Sequence, residues 1–170
     1  LDRSVDLIEE NFDAAIRIGD LPDSTMVART IAFADTVVVS TPSLLRRKTG
    51  LRSPVDLRTL PCLAFSMAPY HASWRLQKAG EVLEVQIKPA LAINSLVALR
   101  DAAITGAGFA YLPRFIVADD VAAGRLALAT PKWSGAIVPI SLVYPSARFL
   151  SARLRGFVDI LVETFPERRL

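Results

Sequence analysis

Apolar and polar positions change period twice between Pro89 and Pro113, and the chain is best read outward from there. Leu91 and Ile93 alternate with Ala90 and Ala92, which predicts a strand. Asn94 or Ser95 then offers a side-chain oxygen to the orphan amides of a first helical turn. The helix that follows places Leu96, Leu99 and Ala103 on its buried side, with Val97 and Ile104 beside them, and Gly106 ends it. Phe109 to Leu112 is a second apolar run, stopped by Pro113. Strand, helix and strand in so short a space predict a βαβ crossover, the unit of parallel sheets. In such sheets ligands bind beyond the carboxyl ends of the strands, where helix N-termini point.

Before this unit, Leu1–Asn11 is expected as a short helix and 13–19 as a strand running into a glycine turn. A domain opening on an isolated helix and a strand bearing Arg17 reads as lacking its first piece. Extended runs are expected at 27–33 and 36–40. Thr41-Pro42 sets a cap and then proline at the first helical position, with Gly50 closing that helix. Ser53-Pro54-Val55-Asp56 starts a second helix with a variant of the capping box. Leu60–Phe65 is a buried strand, 66–73 a polar loop, 77–80 a turn, and 82–88 another extended run.

After the central unit, 115–123 reads as a helix ending at Gly124, 126–128 as a brief strand, and 132–135 as a loop. Ile137–Tyr144 is an apolar strand whose Pro139 suggests an edge position or a bend. Leu150, Leu154, Phe157, Leu161 and Phe165 recur at spacings of four and three, the clearest amphipathic helix in the chain. Strands alternating with helices predict an α/β protein with a mostly parallel sheet.

Composition narrows the classes. The 170 residues suffice for one ordinary domain or two small lobes, and 52 % hydrophobic against 22 % charged residues argues for a core rather than disorder. No apolar run reaches the roughly 18 residues of a membrane span, and no secretory signal is read at the start. A single cysteine, Cys62, permits no internal disulfide and fits a reducing, cytoplasmic setting. The net charge of +3 comes from scattered arginines and reads as a soluble surface rather than a nucleic-acid footprint.

Candidate chemistry is sparse. His71 is the sole histidine, and no serine lies in a Gly-x-Ser-x-Gly elbow, so no nucleophile and base can be paired. Gly106-Ala-Gly108 follows a helix instead of opening one, so it is not a phosphate loop. Glu9-Glu10 and Asp119-Asp120 are adjacent in sequence, point apart, and read as solvated faces. No catalytic residue, metal ligand or cofactor is expected. Arg17, on a half-buried strand, needs a carboxylate such as Asp2, Asp13 or Asp35, or else an anionic ligand. Asn94 and Ser95 serve either as an ordinary cap or as a cradle for an anionic or carbonyl group.

Four blocks, DLIEENFDAAIRIGDLPDSTMVAR, VVVSTPSLLRRKTGLRSPVDLRTLPCLAF, the central unit, and PISLVYPSARFLSARLRGFVDILVETF, occur in this order over essentially the whole chain. Together they resemble the effector-binding domain of LysR-type transcriptional regulators. The resemblance implies two Rossmann-like α/β lobes of the type 2 periplasmic-binding-protein kind, residues 1–39 plus 139–170 and residues 40–138, with an effector cleft between them. It implies that Asp2, Arg3, Ser4 and Arg17 face that cleft from the first lobe. From the second, the same resemblance brings Ser66, Tyr70, His71, Ser73, Trp74, Asn94 and Ser95, with Trp74 alternatively a core plug. Family members begin with a winged helix-turn-helix and a linker helix, neither of which is read here, and the opening strand-helix-strand of the first lobe is also not read. DNA binding is therefore expected only through that absent domain, a small anionic effector is the expected ligand, and a homodimer or tetramer is expected of the parent protein. A solute-binding protein of a transporter is the alternative.

Overall fold

The structure, a computed structural model, describes residues 7, 9–10, 12–19, 21, 26–47, 51–67, 72–145, 151–164 and 168–169. In chain order these form β1 (Ala15–Ile18), β2 (Val27–Ser40), α1 (Pro42–Arg47), a 3₁₀ helix (Pro54–Thr59), β3 (Cys62–Phe65), β4 (Ser73–Lys78), β5 (Glu81–Gln86) and β6 (Pro89–Ile93). There follow α2 (Leu96–Ile104), β7 (Phe109–Pro113), α3 (Arg114–Ala122), β8 (Ala127–Leu128), β9 (Ser134–Gly135), β10 (Ile137–Tyr144), α4 (Ala152–Thr164) and β11 (Arg168–Arg169). The chain divides into two units, one of residues Asp35–Ala136 and one of the described residues within Ser4–Ala34 and Ile137–Leu170.

In the first unit the strand order is β2-β7-β3-β6. β3 pairs in parallel with β6 on one side and β7 on the other, so α2 carries the chain across β3, as the central crossover predicts. Within the first unit, the parallel pairing expected of the sheet joins these three strands. β2 runs antiparallel to β7 and β8, and β4 pairs antiparallel with β5 and β9 in a separate three-stranded sheet.

Alternation sorts the side chains of the first unit's main sheet into two cores. Val37, Val39, Leu63, Ala110 and Leu112 pack with Leu99 and Ala103 of α2 and Val117 of α3. Val38, Cys62, Ala64 and Phe109 pack on the opposite face with Trp74, Leu76 and Val85 of the small sheet. Burial on both faces is why these strands read as continuous apolar runs. Val97 of α2, expected in the core, is 55 % exposed, because Leu99 and Ala103 already fix the buried face.

The small sheet contains a strand that the sequence pattern does not predict: β4 covers the end of the loop expected at 66–73, Trp74 and the start of the turn expected at 77–80. Its hairpin closes on the two residues Ala79-Gly80, both at positive φ (47° and 86°), with Lys78 opposite Glu81. That geometry matches the twist of the flanking strands. The 132–135 loop likewise contains β9, pairing with Leu76 and Gln77.

In the second unit, β1 runs antiparallel to β10, with Arg17 opposite Ser141, and β11 pairs in parallel with β2. The two extended runs expected before Ser40 are one continuous strand. β10 lies between β1 and β2, so Pro139 is not on an edge strand. Its carbonyl accepts from the Gly19 amide at 2.8 Å while it has no N–H to return, so the proline falls where the pairing of β1 with Ile140–Val143 ends. Leu154, Val158 and Leu161 of α4 pack on Ile31, Ala34, Ile140 and Leu142. Phe157, assigned to that face from its spacing, is 47 % exposed, and Val158 takes its place. Leu150 and Phe165 lie outside the described residues. Of the expected opening helix, Leu7, Glu9 and Glu10 are described, in turn conformation, with the Phe12 amide donating to the Leu7 carbonyl at 2.9 Å.

Candidate functional site

At the carboxyl ends of adjacent parallel strands, β3 and β6, the first unit brings three of the expected residues together. The Ser66 amide donates to the Ile93 carbonyl at 2.9 Å, tying the chain after β3 to the residue before Asn94. Ser95 is extended (φ −142°, ψ 120°) and its Oγ accepts from the Ala98 amide at 3.3 Å, so it is the cap of α2, and Asn94 forms the bend before it. Ser66 is exposed and Asn94 and Ser95 are half-buried, leaving polar groups at the positive end of a nine-residue helix within reach of solvent. The arrangement suits an acceptor of hydrogen bonds, a carboxylate or carbonyl oxygen.

The other expected residues lie elsewhere. Ser73 is the first residue of β4, where its Oγ donates to a Glu84 carboxylate oxygen at 2.6 Å and accepts from Gln86 Nε2 at 3.0 Å. Trp74 is 3 % exposed and stacks on Tyr111, ring centroids 5.4 Å apart, so its indole belongs to the core. Arg17 is half-buried on β1 in the second unit. Asp2, Arg3, Ser4, Tyr70 and His71 lie outside the described residues. Among the described residues no cluster of histidine, cysteine and carboxylate groups could hold a metal ion, and no helix is long and apolar enough to cross a membrane.

Two polar networks escaped the sequence reading. The Tyr111 hydroxyl donates to the Arg75 carbonyl at 2.8 Å and accepts from the Ala136 amide at 2.7 Å, while Thr36 Oγ1 donates to the Ala136 carbonyl at 2.8 Å. Burial pushes the Tyr111 phenol above its ordinary pKa. Gly135 is required beside them, because a Cβ there would overlap Thr36 Oγ1 and the Tyr111 ring. The group fastens β4, β7 and the segment after β9 together at the point where the first unit ends.

The second network corrects the reading of Asp119-Asp120 as solvated. Asp120 is fully buried, because it falls three residues after Val117 on the inward face of α3. Its carboxylate is bound by Arg100 Nε, by Arg100 Nη2 at 3.0 Å and by Arg125 Nε at 2.6 Å. The Arg100 hydrogen bonds, ahead of those from Arg125, hold its carboxyl below the usual carboxylate range despite burial. The signal available in the sequence was Arg125, just past the end of the same helix.

Comparison with known proteins agrees with this architecture. A model of the LysR substrate binding domain family matches residues 1–166. The HTH-type transcriptional regulator PtxR of Pseudomonas aeruginosa is 32 % identical over 162 residues, covering 95 % of this chain and 52 % of that protein. CrgA of Neisseria meningitidis serogroup C, also named as an HTH-type transcriptional regulator, is 32 % identical over 160 residues, covering 94 % and 53 %. The chain thus spans about half the length of the curated relatives it matches. Among solved structures, the CrgA regulatory domain superposes with a TM-score of 0.80 at 30 % identity, covering 95 % of this chain and 81 % of that one. The regulatory domain of AphB in Vibrio vulnificus, at 24 % identity and a TM-score of 0.75, shares the fold over 94 % and 78 %. A family model spanning nearly the whole chain, with relatives above 30 % identity, shows the family: this chain belongs to the LysR substrate-binding, or effector-binding, domain family.

Proposed function

We propose that this chain senses a small anionic molecule for a DNA-binding transcriptional regulator, holding a carboxylate or similar group at Ser66, Asn94 and Ser95. The observation that carries the reading is the Ser66–Ile93 hydrogen bond, which sets the chain after β3 against the capped first turn of α2. Two adjacent parallel strands therefore end at one polar, accessible spot beside a positive helix terminus. In the parent protein a helix-turn-helix domain would contact DNA, the regulator would act as a homodimer or tetramer, and the setting would be cytoplasmic. The effector would act only through its different affinity for two states of that regulator. A transporter's solute-binding protein would use a similar fold, but the relatives in hand are named as regulators.

The test is a thermal-shift screen of aromatic and aliphatic carboxylates, followed by Ser95→Glu and Ser95→Asp. Both substitutions add a negative charge at the helix mouth. Aspartate also preserves a capping oxygen, so loss of the cap, worth about 1 kcal/mol, is separated from loss of the site. Stabilisation of the wild type that vanishes in both variants supports the reading. An unaltered response in both contradicts it.

A further inference from the structure

A concavity in the first unit, of about 370 Å³, is lined by none of Ser66, Asn94 or Ser95. It lies between the Ala79-Gly80 hairpin tip, the start of α3 and the segment leading into β9. Three cationic side chains line it, Lys78, Arg114 and Lys132, and no carboxylate does. Like charges drawn from three separate segments repel one another unless something negative lies among them. Elsewhere the unit supplies it, as Asp120 does for Arg100 and Arg125. Lys78, Arg114 and Lys132 have no carboxylate within ion-pair distance among the described residues.

The walls are built rather than incidental. Lys78 Nζ lies over the Trp133 ring, 5.8 Å from its centroid, which places the ammonium at the rim. Trp133 is held in turn by its amide, which donates to the Thr130 carbonyl at 2.9 Å, and β9 fixes Ser134 opposite Gln77. Arg114 is the first residue of α3, whose cap position is Pro113 and carries no side-chain acceptor. The positive end of that helix therefore adds to the charge of Arg114 instead of being offset by a cap. The volume is at the small end of small-molecule sites, which run from about 300 to 1,000 Å³.

We infer that this concavity is a second ligand site, one for a phosphate-bearing small molecule. A phosphate group offers the oxygens and the charge that an arginine fork and two ammonium groups can share, which a single carboxylate does not.

Sodium pyrophosphate titrated into the full chain, with sodium chloride at equal ionic strength as the control, tests this. The readout is the indole N–H resonance of Trp133. Saturable displacement by pyrophosphate, not matched by chloride, is expected, and Lys78→Gln, Lys132→Gln and Arg114→Gln should each weaken it by about tenfold. All three are exposed residues, so unchanged melting curves will show the variants folded. Ser95→Asp should bind pyrophosphate as the wild type does, whatever becomes of its carboxylate response. A linear displacement equal to that with chloride, undiminished binding by the Lys78→Gln/Lys132→Gln double variant, or loss of binding in Ser95→Asp would each overturn the assignment.

Discussion

Replacing Tyr111 by phenylalanine removes one oxygen from the first unit and leaves the ring in place. The stack on Trp74 is retained, so the change reads the hydroxyl alone. That hydroxyl makes two bonds, 2.8 Å to the Arg75 carbonyl and 2.7 Å from the Ala136 amide. A net hydrogen bond is worth about 1 kcal/mol, and a partly buried amide left without its acceptor costs about as much again. Because Arg75 is exposed, water replaces part of that interaction, and the expected loss is about 2 kcal/mol. A change of that size in a chain of this length lowers the melting temperature by about 4–8 °C. Both tryptophans, Trp74 and Trp133, lie in the first unit, so their fluorescence in a urea titration reports its unfolding. The midpoint should fall with no change in slope. Thr36→Val, which removes the side-chain donor to the Ala136 carbonyl and leaves the Thr36 amide donating to it at 3.1 Å, should be non-additive with it, since both hold the same residue. A Tyr111→Phe loss under about 0.5 kcal/mol would refute the view that this network fastens the end of the unit.

The other stability predictions concern titratable groups. Asp120 has a folded pKa depressed below its ordinary value of 3.8, so its contribution is full above that pH and is lost as the pH falls through the folded pKa. Asp120→Asn should therefore lower the urea midpoint at neutral pH and lower it much less at the acid end, and an equal loss at both would contradict the buried pair. Burial pushes the Cys62 thiol up to about 12, with the thiol donating to the Leu57 carbonyl. It should resist a disulfide reagent at pH 8 in the native protein and react fully in guanidinium, whereas native reactivity at the unfolded rate would contradict its placement.

Local chemistry made some elements legible and left others hidden. The Ser95 cap, the Ser53–Asp56 capping box and the crossover around Pro89–Pro113 follow from neighbours in sequence and appear as read. The hairpin of β4 and β5 was half legible: its turn within 77–80 and the run at 82–88 follow from local pattern, whereas β4 falls where the sequence predicts the end of a loop, Trp74 and the start of that turn. Phe157 and Asp120 fall on the other side of their helices from the one expected, because burial is decided by what packs on a helix and spacing alone does not choose between neighbouring faces. The Tyr111 network joins residues far apart in the chain, and no local pattern announces it. The candidate site was half legible: Asn94 and Ser95 from the cap, Ser66 only through the resemblance to a family.

The most direct measurement of the sensing site is an amide-resonance titration of the chain with whichever carboxylate stabilises it in the thermal-shift screen. Saturable displacements concentrated at Ser66 and along Asn94–Ala98, and absent in Ser95→Asp, are the predicted result. Displacements that spare those residues, or that persist unchanged in Ser95→Asp, would contradict the placement of the effector at the carboxyl ends of β3 and β6.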